Sequence, residues 1–217
     1  MKGLFFISSR DRRSFPKELS YCFKKYGLMI FLTSFLAAGI VCGCILAQYG
    51  DEQTMKSLDF IFISNFKGRI TQGLFEGFKA SMSAYFLFYI MALLLGLSLW
   101  GTIGIPAVIA LKGIGAGLCA GYLIAQYSFQ GAVFYVIVML PGLFLSSLSL
   151  LLQCKHSLKL SQKLWRYFVP HKNNTEPEKP DMLSFFQKSS AVLLLTAAGA
   201  ITDVLFTAFF SHMFTFT

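Results

Sequence analysis

Long apolar runs alternate with short polar or glycine-containing breaks along most of the chain. A run of about 20 apolar residues is long enough to cross the hydrocarbon core of a bilayer as an α-helix. Runs of this length predict about five transmembrane helices, at residues 28–48, 80–100, 105–127, 132–152 and 190–210. The pattern therefore predicts an all-α fold, a polytopic transmembrane helix bundle.

The breaks between the apolar runs divide the chain into one membrane domain and a flanking segment. Residues 1–27 form a basic N-terminal segment, and residues 28–217 form a single five-helix transmembrane domain. Two long connections, 49–79 and 153–189, join the predicted spans, and the other connections are short turns. Pro141 lies near the middle of the fourth run, where it predicts a kink because proline removes a backbone N–H.

The composition agrees with insertion into a membrane. Hydrophobic residues make up 55% of the chain and charged residues 13%, whereas a soluble domain carries roughly 25% charged residues. The mean hydropathy is +0.62. The net charge of +9 does not indicate a nucleic-acid-binding protein, because the charges gather in two blocks and no soluble domain follows either block.

The positions of the basic residues predict the orientation. Seven of the 19 Lys and Arg residues lie in 1–27 and seven in 153–189, against four in 49–79. With five spans the two richer blocks face the same side, which the positive-inside rule makes cytoplasmic. We therefore expect a cytoplasmic N-terminus, an external loop 49–79 and a basic cytoplasmic loop 153–189. Trp100 and Trp165 fall near the same predicted interface, as anchoring aromatic residues do.

Two charged residues, Lys112 and Asp203, fall inside predicted spans. Charged groups are costly in hydrocarbon, so they are candidates for function by default. Counted from the cytoplasmic ends of their spans, their depths differ by roughly 9 Å. A buried ion pair, or a lysine that snorkels while the aspartate lies near water, is the structural interpretation. A role in transport or in a proton relay is the functional alternative.

Glycines recur at four-residue intervals in two predicted spans. Gly113, Gly117 and Gly121 form such a series in the third span, and Gly39 and Gly43 repeat the interval in the first. Small residues at this spacing allow two helix backbones to approach closely. The stripe predicts helix packing within the bundle, and a homo-oligomer interface is the alternative.

Basic residues also recur beyond the fourth span. Lys155, Lys159, Lys163 and Arg166 follow one another at spacings of four, four and three, which places them on one face of a helix that leaves the membrane. A basic face next to a membrane predicts binding of anionic lipid headgroups. Binding of a protein partner by this face is the alternative.

Patterns typical of catalysis are absent from the sequence. The three histidines are scattered, and no span contains paired carboxylates, a nucleophile elbow or a phosphate loop. The five cysteines include no Cys-x-x-Cys pair, so neither a disulfide framework nor a metal site is predicted. We expect a protein that is not an enzyme and that needs no cofactor or metal ion.

Residues 86–152 carry a recognisable order of features. Leu95–Gly101 leads through Gly104-Ile105-Pro106 into the Lys112-Gly113 pair and the glycine stripe, and Met139-Leu140-Pro141 follows in the next span. This order resembles the stage II sporulation protein M family, membrane proteins of endospore-forming bacteria. The family's five-span layout and usual size are also similar to this chain.

The resemblance implies a function in engulfment of the forespore. It implies a multi-pass protein of the bacterial cytoplasmic membrane that recruits or localises peptidoglycan-degrading partners and performs no chemistry itself. The external loop would be the natural surface for such partners, because these hydrolases act outside the cytoplasm. The alternative is a transporter or channel subunit that uses Lys112 and Asp203.

Overall fold

The computed structural model describes residues 15–49, 73–168 and 181–210, with side chains from Tyr26 onward in the first helix. These residues contain helices and no strand, which confirms the predicted all-α class. The helices are α1 (Phe15–Tyr49), α2 (Leu74–Leu97), α3 (Gly101–Phe134), α4 (Leu140–Phe168) and α5 (Met182–Phe210), and a π-helical turn (Tyr135–Met139) joins α3 to α4.

Four helical stretches of the described chain are long and apolar enough to cross a membrane, which indicates a multi-pass membrane protein. They are Tyr26–Tyr49, Leu74–Leu97, Gly101–Phe168 and Met182–Phe210. The third stretch has 68 residues and contains two of the predicted spans, 105–127 and 132–152.

The 68-residue stretch reverses direction at Ser128. The backbone there has φ 46° and ψ −123°, outside the helical region, and a positive φ is uncommon for a residue other than glycine. Cys119 Sγ lies 3.4 Å from Met139 Sδ, 20 positions later, although 20 residues of continuous helix would separate them by about 30 Å. The two halves therefore form a helical hairpin.

The helices extend beyond several of the predicted boundaries. α1 begins at Phe15, inside the predicted basic segment, and α5 begins at Met182, before the predicted start at residue 190. α4 continues without a break to Phe168, through the predicted basic face. The rest of the N-terminal segment and of the two long connections lies at 1–14, 50–72 and 169–180, outside the described residues.

The packing order of the helices follows from their contacts. α1 lies along α3, α4 packs against both α3 and α5, and α2 contacts α4, α5 and α3. The main apolar core joins α1, α2, α3 and α4, and it includes Leu32, Ala92, Ile109 and Leu151. Large apolar side chains cover the outer faces of the helices, as is expected where lipid rather than water surrounds a bundle.

Candidate functional site

Lys112 of α3 is directed into the bundle and is only 7% exposed. Its Nζ lies 4.4 Å from the ring centroid of Tyr85 and 5.2 Å from that of Phe88. Both rings belong to α2, and the faces of aromatic rings attract cations at such distances. The two rings therefore stabilise the ammonium group inside the bundle and hold α3 against α2.

A small cavity lies beside Lys112. It measures about 10 Å³, and its lining includes Tyr85, Ser146, Ser149 and Thr196. The hydroxyls of Ser146 and Ser149 donate to backbone carbonyls of their own helix at 3.0 and 2.9 Å. A volume of this size holds about one water molecule.

Asp203 of α5 lies where three helices meet, and it is 1% exposed. Its Oδ2 accepts a 2.6 Å hydrogen bond from Ser81 Oγ of α2. On the side of α4 it contacts Gly142, where an added Cβ would lie 2.5 Å from the Cβ of Asp203. The carboxylate therefore joins α2 to α5 at a point where α4 leaves room for it only because residue 142 has no side chain.

The two predicted intramembrane charges lie against neighbouring turns of α2. Lys112 contacts Tyr85, and Asp203 accepts from Ser81, four residues earlier. Four residues of helix correspond to about 6 Å along the axis. The structure thus brings both charges to the same face of α2, where each engages a different side chain of that helix.

A stripe of buried polar residues on α4 was not predicted. It consists of Ser146, Ser149, Gln153, Ser157 and Ser161, and each is at most 3% exposed. We call this stripe the polar ladder. Its steps of three, four, four and four residues keep it on one helix face. That spacing within and just beyond an apolar span is the signal that could have identified it from the sequence.

The polar ladder bonds α4 to its neighbours. Gln153 Nε2 donates to Ser189 Oγ of α5 at 3.0 Å, and Thr196 Oγ1 of α5 lies 3.2 Å from Ser149 Oγ. Ser161 Oγ donates at 2.9 Å to the carbonyl of Ser98, in the turn after α2. Interhelical hydrogen bonds of this kind contribute about 0.6 to 2 kcal/mol each in a membrane. Together they fix the register of three helices.

The predicted glycine stripe lies between α1 and α3. An added Cβ on Gly39 would lie 3.1 Å from the Cα of Gly113, and one on Gly43 would lie 3.0 Å from the Cα of Gly117. Gly121 packs against the side chain of Ala47 in the same interface. All five glycines therefore allow close contact between two helices of one chain.

The basic residues of α4 do not belong to the polar ladder and remain accessible. Lys159 and Arg166 are exposed, and Lys155 and Lys163 are half-buried.

Pro141 lies at the start of α4, directly after the π-helical turn, in which Leu140 N bonds to Tyr135 O. The wider turn accommodates the proline ring, which would otherwise collide with the carbonyl four residues before it.

The described residues contain no group of three or more His, Cys, Asp and Glu side chains that could hold a metal ion. No protein-family model, curated protein or solved structure matches the chain. The resemblance to the stage II sporulation protein M family therefore stays a prediction that rests on residues 86–152.

Proposed function

We propose that this protein is a non-enzymatic scaffold of the bacterial cytoplasmic membrane. In this proposal it crosses the bilayer five times with its N-terminus in the cytoplasm, and it localises peptidoglycan-degrading partners during endospore engulfment. The partners and the process come from the family resemblance. The physical support comes from the hydrogen bonds by which buried polar groups join neighbouring helices of the bundle.

The polar ladder is the observation that carries the proposal. Its side chains bond to other helices and to nearby backbone carbonyls, so this row of buried polar groups holds the helices in one arrangement. A scaffold needs such a fixed arrangement in order to present a constant surface to its partners. The cavity beside Lys112, about 10 Å³, is far smaller than the roughly 300–1,000 Å³ of small-molecule sites.

The hairpin at Ser128, counted as two crossings, supports the five-span topology. The predicted basic segment 1–27 and the basic face of α4 then lie on the same side of the membrane, which the positive-inside rule makes cytoplasmic. The connection before α2 lies on the opposite side, where secreted hydrolases act. This topology is tested by cysteine labelling from outside intact cells, with a cysteine introduced before α2 and another between α4 and α5.

The test of the scaffold is a crosslinking pull-down of the tagged protein from its native membrane. We expect secreted peptidoglycan hydrolases among the captured proteins. Replacing residues 50–72 by a neutral linker of equal length should abolish their capture, because this connection is the proposed partner surface. The replacement leaves α2 intact, since that helix begins at Leu74. The matched control replaces residues 171–180, on the predicted cytoplasmic side, and should leave capture unchanged. Capture of an ATPase or of transport subunits instead would overturn the scaffold.

A transporter or channel subunit is the second candidate. The burial of Lys112 beside a small cavity favours it, because intramembrane charges mark ion and proton pathways. Flux across reconstituted vesicles that disappears in Lys112→Met would favour this candidate. Vesicles of the wild-type protein without flux would count against it.

A further inference from the structure

A groove with two tryptophans lies between the turn after α2 and the last turns of α4. Its volume is about 480 Å³, and its lining is Leu99, Trp100, Thr102, Ile103, Gln162, Trp165 and Arg166. We call it the Trp groove. Trp100 and Ile103 are 73% and 71% exposed and Trp165 is 50% exposed, so the described helices leave these side chains open to a ligand.

The two walls of the Trp groove are fixed to each other. Ser161, next to Gln162 on α4, donates a 2.9 Å hydrogen bond to the carbonyl of Ser98, next to Leu99. Leu99 itself packs against a buried cluster that contains Leu160 and Leu164. A site whose walls are held before binding needs little ordering when a ligand enters.

The lining of the Trp groove combines one cationic side chain with apolar and neutral polar ones. Arg166 offers a planar guanidinium that can bond a phosphate through two N–H groups, and Gln162 and Thr102 add neutral polar groups. Residues 153–168 carry Lys155, Lys159, Lys163 and Arg166 and no acidic residue. Tryptophan rings favour the headgroup level of a bilayer because they are apolar with one N–H donor.

We propose that the Trp groove binds an anionic phospholipid of the surrounding bilayer. The phosphate lies on the Arg166 guanidinium, and the glycerol and upper acyl chain lie along Trp100, Ile103 and Trp165. This assigns a defined site to one end of the basic face. It depends on membrane insertion alone and holds whether or not the protein recruits hydrolases.

The chain supplies its own probe of the Trp groove, because its only two tryptophans are Trp100 and Trp165. The full-length protein in mixed micelles is titrated with phosphatidylglycerol brominated near the top of the acyl chain, and tryptophan quenching is recorded. Brominated phosphatidylcholine serves as the zwitterionic reference. We expect saturable quenching at lower mole fractions of phosphatidylglycerol than of phosphatidylcholine. Equal quenching by the two lipids would overturn the proposal.

Arg166→Gln removes the proposed phosphate ligand and keeps both tryptophans. We expect the affinity for phosphatidylglycerol to fall about tenfold or more, as for loss of a charge-assisted hydrogen bond. Lys159→Gln is the matched control, since it removes the same charge from the same helix outside the Trp groove, and it should lower the affinity clearly less than Arg166→Gln does. Arg166→Lys should recover part of the loss. Equal losses in Arg166→Gln and Lys159→Gln would mean general attraction to a charged surface and would refute the site.

Discussion

Ser81 of α2 and Asp203 of α5, 122 positions apart, share a 2.6 Å hydrogen bond in the interior of the bundle. The length lies in the range of bonds from a hydroxyl to a carboxylate. Asp203 is 1% exposed, so water does not compete for the bond, and a low local dielectric strengthens it. The pair therefore fixes two helices that the chain itself does not connect directly.

Removing the hydroxyl of Ser81 should destabilise the bundle. We expect Ser81→Ala to lower the free energy of unfolding by about 0.6 to 2 kcal/mol, the range for interhelical hydrogen bonds in membranes. The measurement is denaturant unfolding in a constant lipid–detergent mixture. Ser83→Ala is the control, because Ser83 is exposed on the same helix and should be neutral. Equal stability of the two variants would mean that the bond contributes nothing.

Adding a methyl group at Gly142 should force α4 and α5 apart. The new Cβ would lie 2.5 Å from the Cβ and 2.8 Å from the Cα of Asp203, and neither helix can yield without moving its backbone. We expect Gly142→Ala to cost about 1 to 3 kcal/mol, as overpacking does.

The control for this overpacking is Gly77→Ala on α2. Its Cβ would meet only Val204 Cγ2 at 3.9 Å, so the higher helix propensity of alanine should leave the protein equally or more stable. Thermal melting of both variants compares the two positions. A Gly142→Ala protein that melts at the wild-type temperature would contradict the contact with Asp203.

Much of the fold could be predicted from the sequence because membrane helices can be identified by their length and hydropathy. The glycine intervals also predict helix packing, because small residues such as Gly39 and Gly113 at this spacing allow another helix backbone to approach closely. The position of the turn at Ser128 could be predicted from the break between two apolar runs, but its backbone conformation could not. Nothing local indicates that a serine, rather than the nearby Gly131, takes the positive φ.

The arrangement around the buried charges could not be predicted, because it depends on which helices become neighbours. Depth along the spans separated Lys112 from Asp203 by roughly 9 Å, and this estimate says nothing of lateral position. The structure adds that both lie against α2, through Tyr85 and Ser81. The spacing of the polar ladder could have revealed it in the sequence. Its partners on α5 could not be predicted, because serines in apolar spans commonly bond to their own helix.

Substitution within the glycine stripe tests whether it packs the chain or joins two copies. An added Cβ at Gly117 would collide with the carbonyl of Ile40 in α1. We expect Gly117→Ala to lower the melting temperature without changing the oligomeric mass measured by light scattering, because both sides of the stripe belong to one chain. Gly27→Ala, which has nothing within 4 Å, is the control. Loss of a dimer at unchanged stability would instead support the homo-oligomer interface.

Tyr85 should stabilise the bundle through its ring, since the ring face lies 4.4 Å from the Nζ of Lys112. Tyr85→Leu keeps an apolar side chain but removes the ring. We expect the lost cation–π contact to lower the free energy of unfolding by about 0.5 to 2 kcal/mol, and any lost packing adds to this. Tyr85→Phe keeps the ring and should lose less. Repeating both substitutions in Lys112→Met separates the two contributions, because the cost of losing the ring should shrink once the cation is gone. If that cost is the same with and without the cation, the ring serves packing alone and Lys112 is stabilised by other groups.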